Sequence, residues 1–324
     1  MPILQSSSYN KPFWMINRHL ETIIPGIFRN VKVNVIPESI IIPTPDNDVL
    51  EIDWYKTKGK KLVIISHGLE GDSRRPYVLG LAKKFTQNGW DVMAWNFRGC
   101  GKDLNKTLKF YHSGASYDLD TVVKYGVQNG FDDIALSGVS LGGNVTLKYL
   151  GEPEVPNQVQ SAAVFSVPLD LGSTSNEIAK PHNFLYSSRF LKSLKLKIQR
   201  KIKIFPEEFD MNQIRSLKSI YDFDDKVTAP LHGFECADDY YEKCSSINFI
   251  RKIKIPVLVV NALNDPFLSK SCFDATNFNS SENVYFEMPK FGGHVGFSTY
   301  GNGSFYWSED RALEFISQHM ECND

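Results

Sequence analysis

Cysteine is scarce in this chain: Cys100, Cys236, Cys244, Cys272 and Cys322 stand singly among 324 residues. No pair has metal-ligand spacing and the pattern is not that of a disulfide framework, so no metal, cofactor or disulfide is expected. Charge of one sign is lacking too. Lys and Arg total 36 against 37 Asp and Glu, a net charge of −1. A nucleic-acid partner needs a basic excess, and none is expected. Long apolar runs are missing: Ile255 to Leu263 is among the longest, far below the ~20 residues that span a bilayer. Met1 to Ser8 has neither a basic nor an apolar leader region. No signal peptide is read, and a reducing, cytoplasmic setting is expected. Repeats and low-complexity tracts are absent as well.

What is present is ordinary globular composition, 42% hydrophobic and 23% charged, in a chain long enough for a large core with an insertion. Val31 to Ile36, Ile40 to Ile42 and Leu50 to Tyr55 read as short strands punctuated by Pro43, Pro45, Asp46 and Asn47, an antiparallel start to a sheet. The rhythm then changes. Strand-like Leu62–Ser66, Trp90–Asn96 and Ile134–Gly138 alternate with helical Pro76–Gln87, Ser116–Gln128 and Leu141–Leu150. Val159–Val167, Ile255–Ala262 and Asn283–Glu287 are further strands, and Glu309–His319 is a closing amphipathic helix. Such alternation implies an α/β fold: a mostly parallel central sheet with helices on both faces.

Between Leu169 and Asn248 the alternation lapses. Phe190, Leu191, Leu194, Ile198 and Ile202 recur at near-helical spacing over Ser188–Lys203, and Met211–Ile220 reads as another helix. Residues 169–248 are therefore read as a helical cap or lid inserted into a core of residues 1–168 and 249–324. The basic residues Arg189, Lys192, Lys195, Lys197, Arg200, Lys201 and Lys203 read as a solvated face of the cap helix, their stems covering apolar surface. Peripheral binding to a lipid interface is the rival reading of the same charges.

The chemistry is carried by Gly138-Val139-Ser140-Leu141-Gly142, which fits G-x-S-x-G. The pentapeptide alone is common, and a glycine-rich turn without catalysis is its plain alternative. Its setting argues otherwise: a short apolar strand enters it and a helix leaves it. This is the context of a nucleophile elbow, in which small neighbours let two backbones pass closely and the helix N-terminus faces developing negative charge. A serine nucleophile needs a base, and the base needs an orienting acid, in the chain order Ser…Asp/Glu…His. Asp265, in Asn264-Asp265-Pro266, follows an apolar strand; alone it would pass for a turn residue. His294, in Gly292-Gly293-His294, follows the next strand. His19, His67, His112, His182, His232 and His319 fit less well by order or position. His67-Gly68-Leu69 directly after a strand suggests one oxyanion donor, the backbone N–H of Leu69, with Leu141 supplying the other; a plain turn at Gly68 is the alternative. Asn96 to Gly101 and Tyr111 to Gly114 read as structural loops, and the spacing of His112 and Asp118 does not match an H-x4-D acyltransferase box.

Taken together, several segments resemble the YheT-like branch of the α/β-hydrolase superfamily, which includes bacterial hydrolases and eukaryotic esterases and acyltransferases. They are Asn17 to Thr22, His67 to Gly71, Asn96 to Cys100, Tyr111 to Gly114, Gly138 to Asn144, Thr228 to Phe234, Asn264 to Phe267 and Gly292 to Phe297. The resemblance implies a Ser140–Asp265–His294 triad and a small-molecule or lipid-like ester substrate of short to medium acyl chain. Transfer of the acyl group to an alcohol is the alternative it leaves open. A hydrolase-like scaffold that binds a ligand without catalysis is the rival from another class.

Overall fold

The structure, a computed structural model, describes residues 3–4, 6–274, 276, 281–300 and 306–320. Nine strands among them are β1 (Ile3–Leu4), β2 (Glu38–Pro43), β3 (Val49–Tyr55), β4 (Lys61–Ser66), β5 (Asp91–Asn96), β6 (Asp133–Val139), β7 (Val159–Phe165), β8 (Val257–Val260) and β9 (Val284–Glu287). They form one sheet in the order β1-β9-β8-β7-β6-β4-β5-β3-β2. The pairs β2–β3 and β3–β5 are antiparallel and all other neighbours are parallel. The helices are α1 (Arg18–Phe28), α2 (Pro76–Gln87), α3 (Ser116–Gln128), α4 (Leu141–Leu150), α5 (Leu171–Ile178), α6 (Phe184–Ile202), α7 (Met211–Ser216), α8 (Ile220–Phe223), α9 (Ala229–His232), α10 (Ala237–Cys244) and α11 (Trp307–Met320).

The expected α/β architecture is present, and the strand residues show why. Successive side chains on a strand point to opposite faces. Along β4, Leu62 and Ile64 enter one core cluster while Val63 and Ile65 enter a second. Leu119 and Val122 of α3 and Val145 of α4 complete the first cluster; Leu81 and Phe85 of α2 and Phe315 of α11 complete the second. A sheet buried on both faces needs continuous apolar strands, and β4 to β8 have them.

Two expectations change, and one helix was not read from the sequence. Val31 to Ile36 forms no strand. Its alternation is real, with Val31 buried and Val33 and Val35 packed on the second cluster, but a strand also needs a neighbour to bond, and among the described residues none pairs with it. The helix from Met211 stops at Ser216 because Ser219 starts α8 with a capping box, exchanging hydrogen bonds with Asp222. Helix α1 was not anticipated, since Pro25 and Gly26 lie inside it. Asn17 caps it, its Oδ1 accepting the N–H groups of His19 and Leu20 at 3.0 Å each.

Helices α5 to α10 follow one another between β7 and β8. Leu194, Ile198, Ile214, Phe223 and Val227 from this stretch share a cluster with sheet residues, so much of its apolar surface joins the main core. The solvated basic face expected on α6 is only partly so. Lys197 and Lys201 are buried, Lys197 on Glu70 at 2.6 Å and Lys201 on the carbonyl of Asn105 at 3.0 Å. Among the described residues Cys100, Cys236, Cys244 and Cys272 are free thiols; Cys322 lies outside them, as do Met1, Pro2 and Gln5. Among the same residues, no helix is long and apolar enough to cross a membrane.

The loop after β5 is structural. Arg98 is buried and reaches Asp46 at 2.6 Å, Asp118 at 2.6 Å and Asp48 at 3.2 Å, which also explains Asp118 without an acyltransferase role. Removing one partner of a buried charge network leaves the others uncompensated, at a cost of about 3–5 kcal/mol. Arg98→Met is therefore expected to lower unfolding free energy by about that amount, read from urea unfolding, with Arg98→Lys recovering only part because it lacks the planar fork.

Candidate active site

Ser140 stands where β6 hands over to α4, at φ +55° and ψ −122°. That backbone region is strained for any residue with a side chain, and it persists only where the surroundings enforce it. Here they do. A Cβ on Gly142 would lie 2.2 Å from the Ser66 carbonyl oxygen, and one on Gly138 would lie 2.5 Å from the carbonyl oxygen of Gly142. Glycine at both positions lets the first turn of α4 press against β4 and β6. The Ser140 N–H donates to the Phe165 carbonyl at 2.9 Å, tying the turn to β7.

The two loops singled out from the sequence converge on it. His294 Nε2 lies 2.9 Å from Ser140 Oγ, and His294 Nδ1 lies 2.8 Å from Asp265 Oδ2. Asp265 is buried, and its other oxygen accepts the Phe267 N–H at 2.9 Å. The turn role and the histidine contact thus coexist on one carboxylate. The ring of Phe267 packs against the imidazole at a centroid distance of 4.4 Å.

The remaining sequence candidates, Leu69 and Leu141, line the same cavity as Ser140 and His294. Among the described residues neither backbone N–H donates within the protein. His67 orients the first of them. Its Nε2 accepts the Phe97 N–H at 3.1 Å, which leaves the proton on Nδ1 to donate to the Gly68 carbonyl at 2.8 Å. In a trans peptide the N–H points opposite to the C=O, so holding the Gly68 carbonyl aims the Leu69 N–H the other way. Burial pushes the His67 imidazole down to about 4, keeping it neutral. Tyr77 Oη accepts the Gly68 N–H at 2.9 Å, which pins the other side of that residue.

Sequence reasoning did not find what holds the histidine loop. Glu21 of α1 is buried, and its Oε2 accepts the Gly292 N–H at 2.6 Å and the Asn264 side-chain amide at 3.1 Å. Asn264 Oδ1 in turn accepts the Gly293 N–H at 3.0 Å, and Thr22 Oγ1 accepts that of His294 at 3.0 Å. Helix α1 therefore fixes the loops of both Asp265 and His294. The signal was in view as Asn17 to Thr22, but no local pattern says which loop such residues will meet.

A second contact missed from sequence joins α6 to the Leu69 loop. Glu70 is taken up by Tyr111 Oη at 2.7 Å, Lys197 at 2.6 Å and Ser193 Oγ at 2.5 Å. Burial pulls its carboxyl up, but the Lys197 charge and these donors outweigh it and hold the group below its ordinary value.

Two cavities meet at Ser140. One, of about 100 Å³, has Leu141, Leu171, Leu194 and Leu268 in its wall together with Asp224 and Tyr241. Asp224 accepts from Thr228 Oγ1 and Tyr241 Oη, each at 2.7 Å. Burial outweighs these bonds and pushes its carboxyl up to about 6. The other, of about 310 Å³, lies between α1 and α6 and is lined by Ile23, Ile27, Tyr186, Arg189 and Phe190 as well as Arg75. The rings of His112 and His232 lie 4.4 Å apart in a tilted contact, both held neutral chiefly by burial. Among the described residues no group of three or more His, Cys, Asp or Glu is placed to hold a metal ion.

Known proteins are similar to this chain in sequence and in fold. The family model Hydrolase_4, described as "Serine aminopeptidase, S33", matches residues 57–274, a stretch that contains Ser140 and Asp265 and stops before His294. A protein of Escherichia coli (strain K12) named "Putative esterase YheT" is 30% identical over 94% of this chain and 92% of its own length. Phospholipase ABHD3 of Mus musculus is 28% identical over 79% of this chain and 65% of its own. Among solved structures, the Pyrococcus furiosus esterase Pf2001 superposes with a TM-score of 0.59 at 18% identity, over 90% of this chain and 98% of that one. That likeness is one of fold. The strand order, the matched family model and the YheT similarity agree: the chain belongs to the YheT-like branch of the α/β-hydrolase superfamily, a family of esterase- and lipase-like proteins.

Proposed function

We propose that this protein hydrolyses carboxylic esters of short to medium, apolar acyl chains, with Ser140 as nucleophile, His294 as general base and acid, and Asp265 as the group that orients the imidazole. The observation that carries this reading is the hydrogen-bonded chain from Asp265 through His294 to Ser140. His294 takes the Ser140 proton as Oγ attacks the ester carbonyl. The oxyanion accepts hydrogen bonds from the N–H groups of Leu69 and Leu141, one such donor being worth about 3 kcal/mol of transition-state stabilisation. His294 then protonates the departing alcohol, leaving an acyl-enzyme. Water attacks this with His294 again as base, which frees the acid and restores Ser140.

The acyl group is placed in the smaller, leucine-lined cavity and the alcohol portion in the larger one. Residues 169–248 act as the cap that shapes both, since α5 and α6 contribute Leu171, Leu194, Tyr186 and Phe190 to their walls. The names of the esterase and phospholipase relatives fit an ester substrate.

Three measurements test the reading. Wild-type protein is expected to hydrolyse p-nitrophenyl esters with a preference for short to medium acyl chains and to be labelled by a fluorophosphonate. Ser140→Ala should lose both, with kcat down about 10⁴-fold or more; equal turnover by this variant sinks the proposal. Thr22→Val removes the acceptor for the His294 N–H. It should lower kcat about tenfold with little change in KM, and Thr22→Ser should restore it, because a 1 Å shift of a base is costly to rate rather than to binding. Asp224 adds a pH dependence. Its carboxyl ionises as pH rises through about 6, placing a charge beside an apolar acyl chain. KM for an aliphatic acyl ester should therefore rise across that pH, and Asp224→Asn should flatten the rise.

A further inference from the structure

The larger cavity is walled by two helices that carry several exposed apolar and basic side chains. It lies between α1 and α6, whose N-terminal ends meet where His19 stacks on Tyr186 at 5.8 Å and its Nδ1 lies 3.2 Å from Tyr186 Oη. Ile27 lines it, and Phe28 on α1, Phe184 and Leu185 on α6, and Phe13 and Ile16 on the arm before α1 are exposed with it, each between 60% and 80%. Single exposed apolar residues are ordinary on a soluble protein. Here six come from two segments that flank one opening, and such collections mark an interaction surface.

Charge singles out the same two segments. Residues 11–32 and 180–203 together hold twelve Lys or Arg and one acid, Glu21, within a chain of 36 basic and 37 acidic residues. Glu21 is buried beneath the histidine loop and does not face solvent. Some of the cations are spoken for: Arg29 pairs with Glu309, Lys180 with Glu177 and Lys197 with Glu70. Arg18, Lys32, Arg189, Lys192, Arg200 and Lys203 have no carboxylate within ion-pair distance among the described residues. An almost neutral chain thus carries, on two helices and an adjoining arm, a strong local excess of positive charge together with six of its exposed aliphatic and aromatic side chains.

We infer that this face docks on an anionic lipid bilayer, with the mouth of the larger cavity turned toward the membrane. The match is one of chemistry. Apolar side chains enter the acyl boundary while Lys and Arg meet anionic headgroups, and the two contributions add. The position of the opening then has a consequence. An ester resident in the bilayer reaches Ser140 through the gap between α1 and α6 without crossing water. The docking surface does not depend on the proposed ester hydrolysis, although the delivery of substrate does.

Sedimentation of full-length Ser140→Ala with vesicles separates the two. At low salt the protein should bind mixed phosphatidylglycerol and phosphatidylcholine vesicles about tenfold more than phosphatidylcholine alone, and added salt should release it. Two variants probe the two chemistries: Phe13→Glu with Phe28→Glu and Leu185→Glu, and Lys192→Glu with Arg200→Glu and Lys203→Glu. Each set should reduce vesicle binding about tenfold while hydrolysis of a soluble p-nitrophenyl ester by the corresponding Ser140 proteins stays within about twofold. No binding to anionic vesicles at low salt, or binding that both sets leave intact, overturns the inference, and attraction to an acidic protein instead would give that first result. Vesicle binding by a protein that hydrolyses no ester would sustain the docking surface and defeat the hydrolase reading alone.

Discussion

A residue with a side chain, held at φ +55° on the step from a buried strand to a helix, persists only if nothing stands in the way. That constraint at Ser140 organises much of what surrounds it. It demands glycine at 138 and 142, since a methyl at either would collide with main-chain oxygen. It brings α4 hard against β4, with Leu141 in the wall of the cavity that Ser140 also lines. It also requires β7 alongside, because the Ser140 N–H finds its acceptor in Phe165. A parallel sheet buried on both faces supplies this rigid frame, and loops at its edge need only be aimed.

How the loops are aimed follows from hydrogen-bond accounting. Every buried backbone N–H must find an acceptor. In the histidine loop those of Gly292 and His294 are taken by Glu21 and Thr22, and that of Gly293 by Asn264. In the Leu69 loop the Gly68 N–H goes to Tyr77, and its carbonyl goes to His67. The N–H groups left over are those of Leu69 and Leu141, two residues that line the cavity. The satisfied groups fix the geometry, and the unsatisfied ones are available to a ligand. The buried Glu70–Lys197 pair extends the same frame to α6, so that the helix walling both cavities is tied to the loop carrying Leu69.

Much of this was legible before any coordinates. Strands β4 to β8 announced themselves as apolar runs, because burial on both faces leaves no room for alternation. Helices α2, α3 and α4 matched their expected bounds, since punctuation by Pro76 and by the Gly138–Gly142 turn is local. Where the reading faltered, the missing information was non-local. Val31 to Ile36 has the alternation of a strand but no partner. Lys197 and Lys201 look like surface charges in a basic run, yet the fold turns them inward onto Glu70 and the Asn105 carbonyl. Helix α1 carries Pro25 and Gly26 against its own propensity, and its docking under the His294 loop shows what tertiary contact adds.

Residue order along the chain already names the candidates: Ser140 in a strand–turn–helix pentapeptide, then Asp265, then His294, each after an apolar strand. Strand periodicity and turn chemistry are short-range properties, so they survive in one dimension. It takes the packed fold to put His294 2.9 Å from Ser140 and 2.8 Å from Asp265, to hold the histidine loop with an N-terminal helix, and to join two cavities of unequal size and character at the serine. Those are distances and volumes between segments far apart in the chain. They are set by how the sheet twists and the helices pack, and no local pattern of residues encodes them.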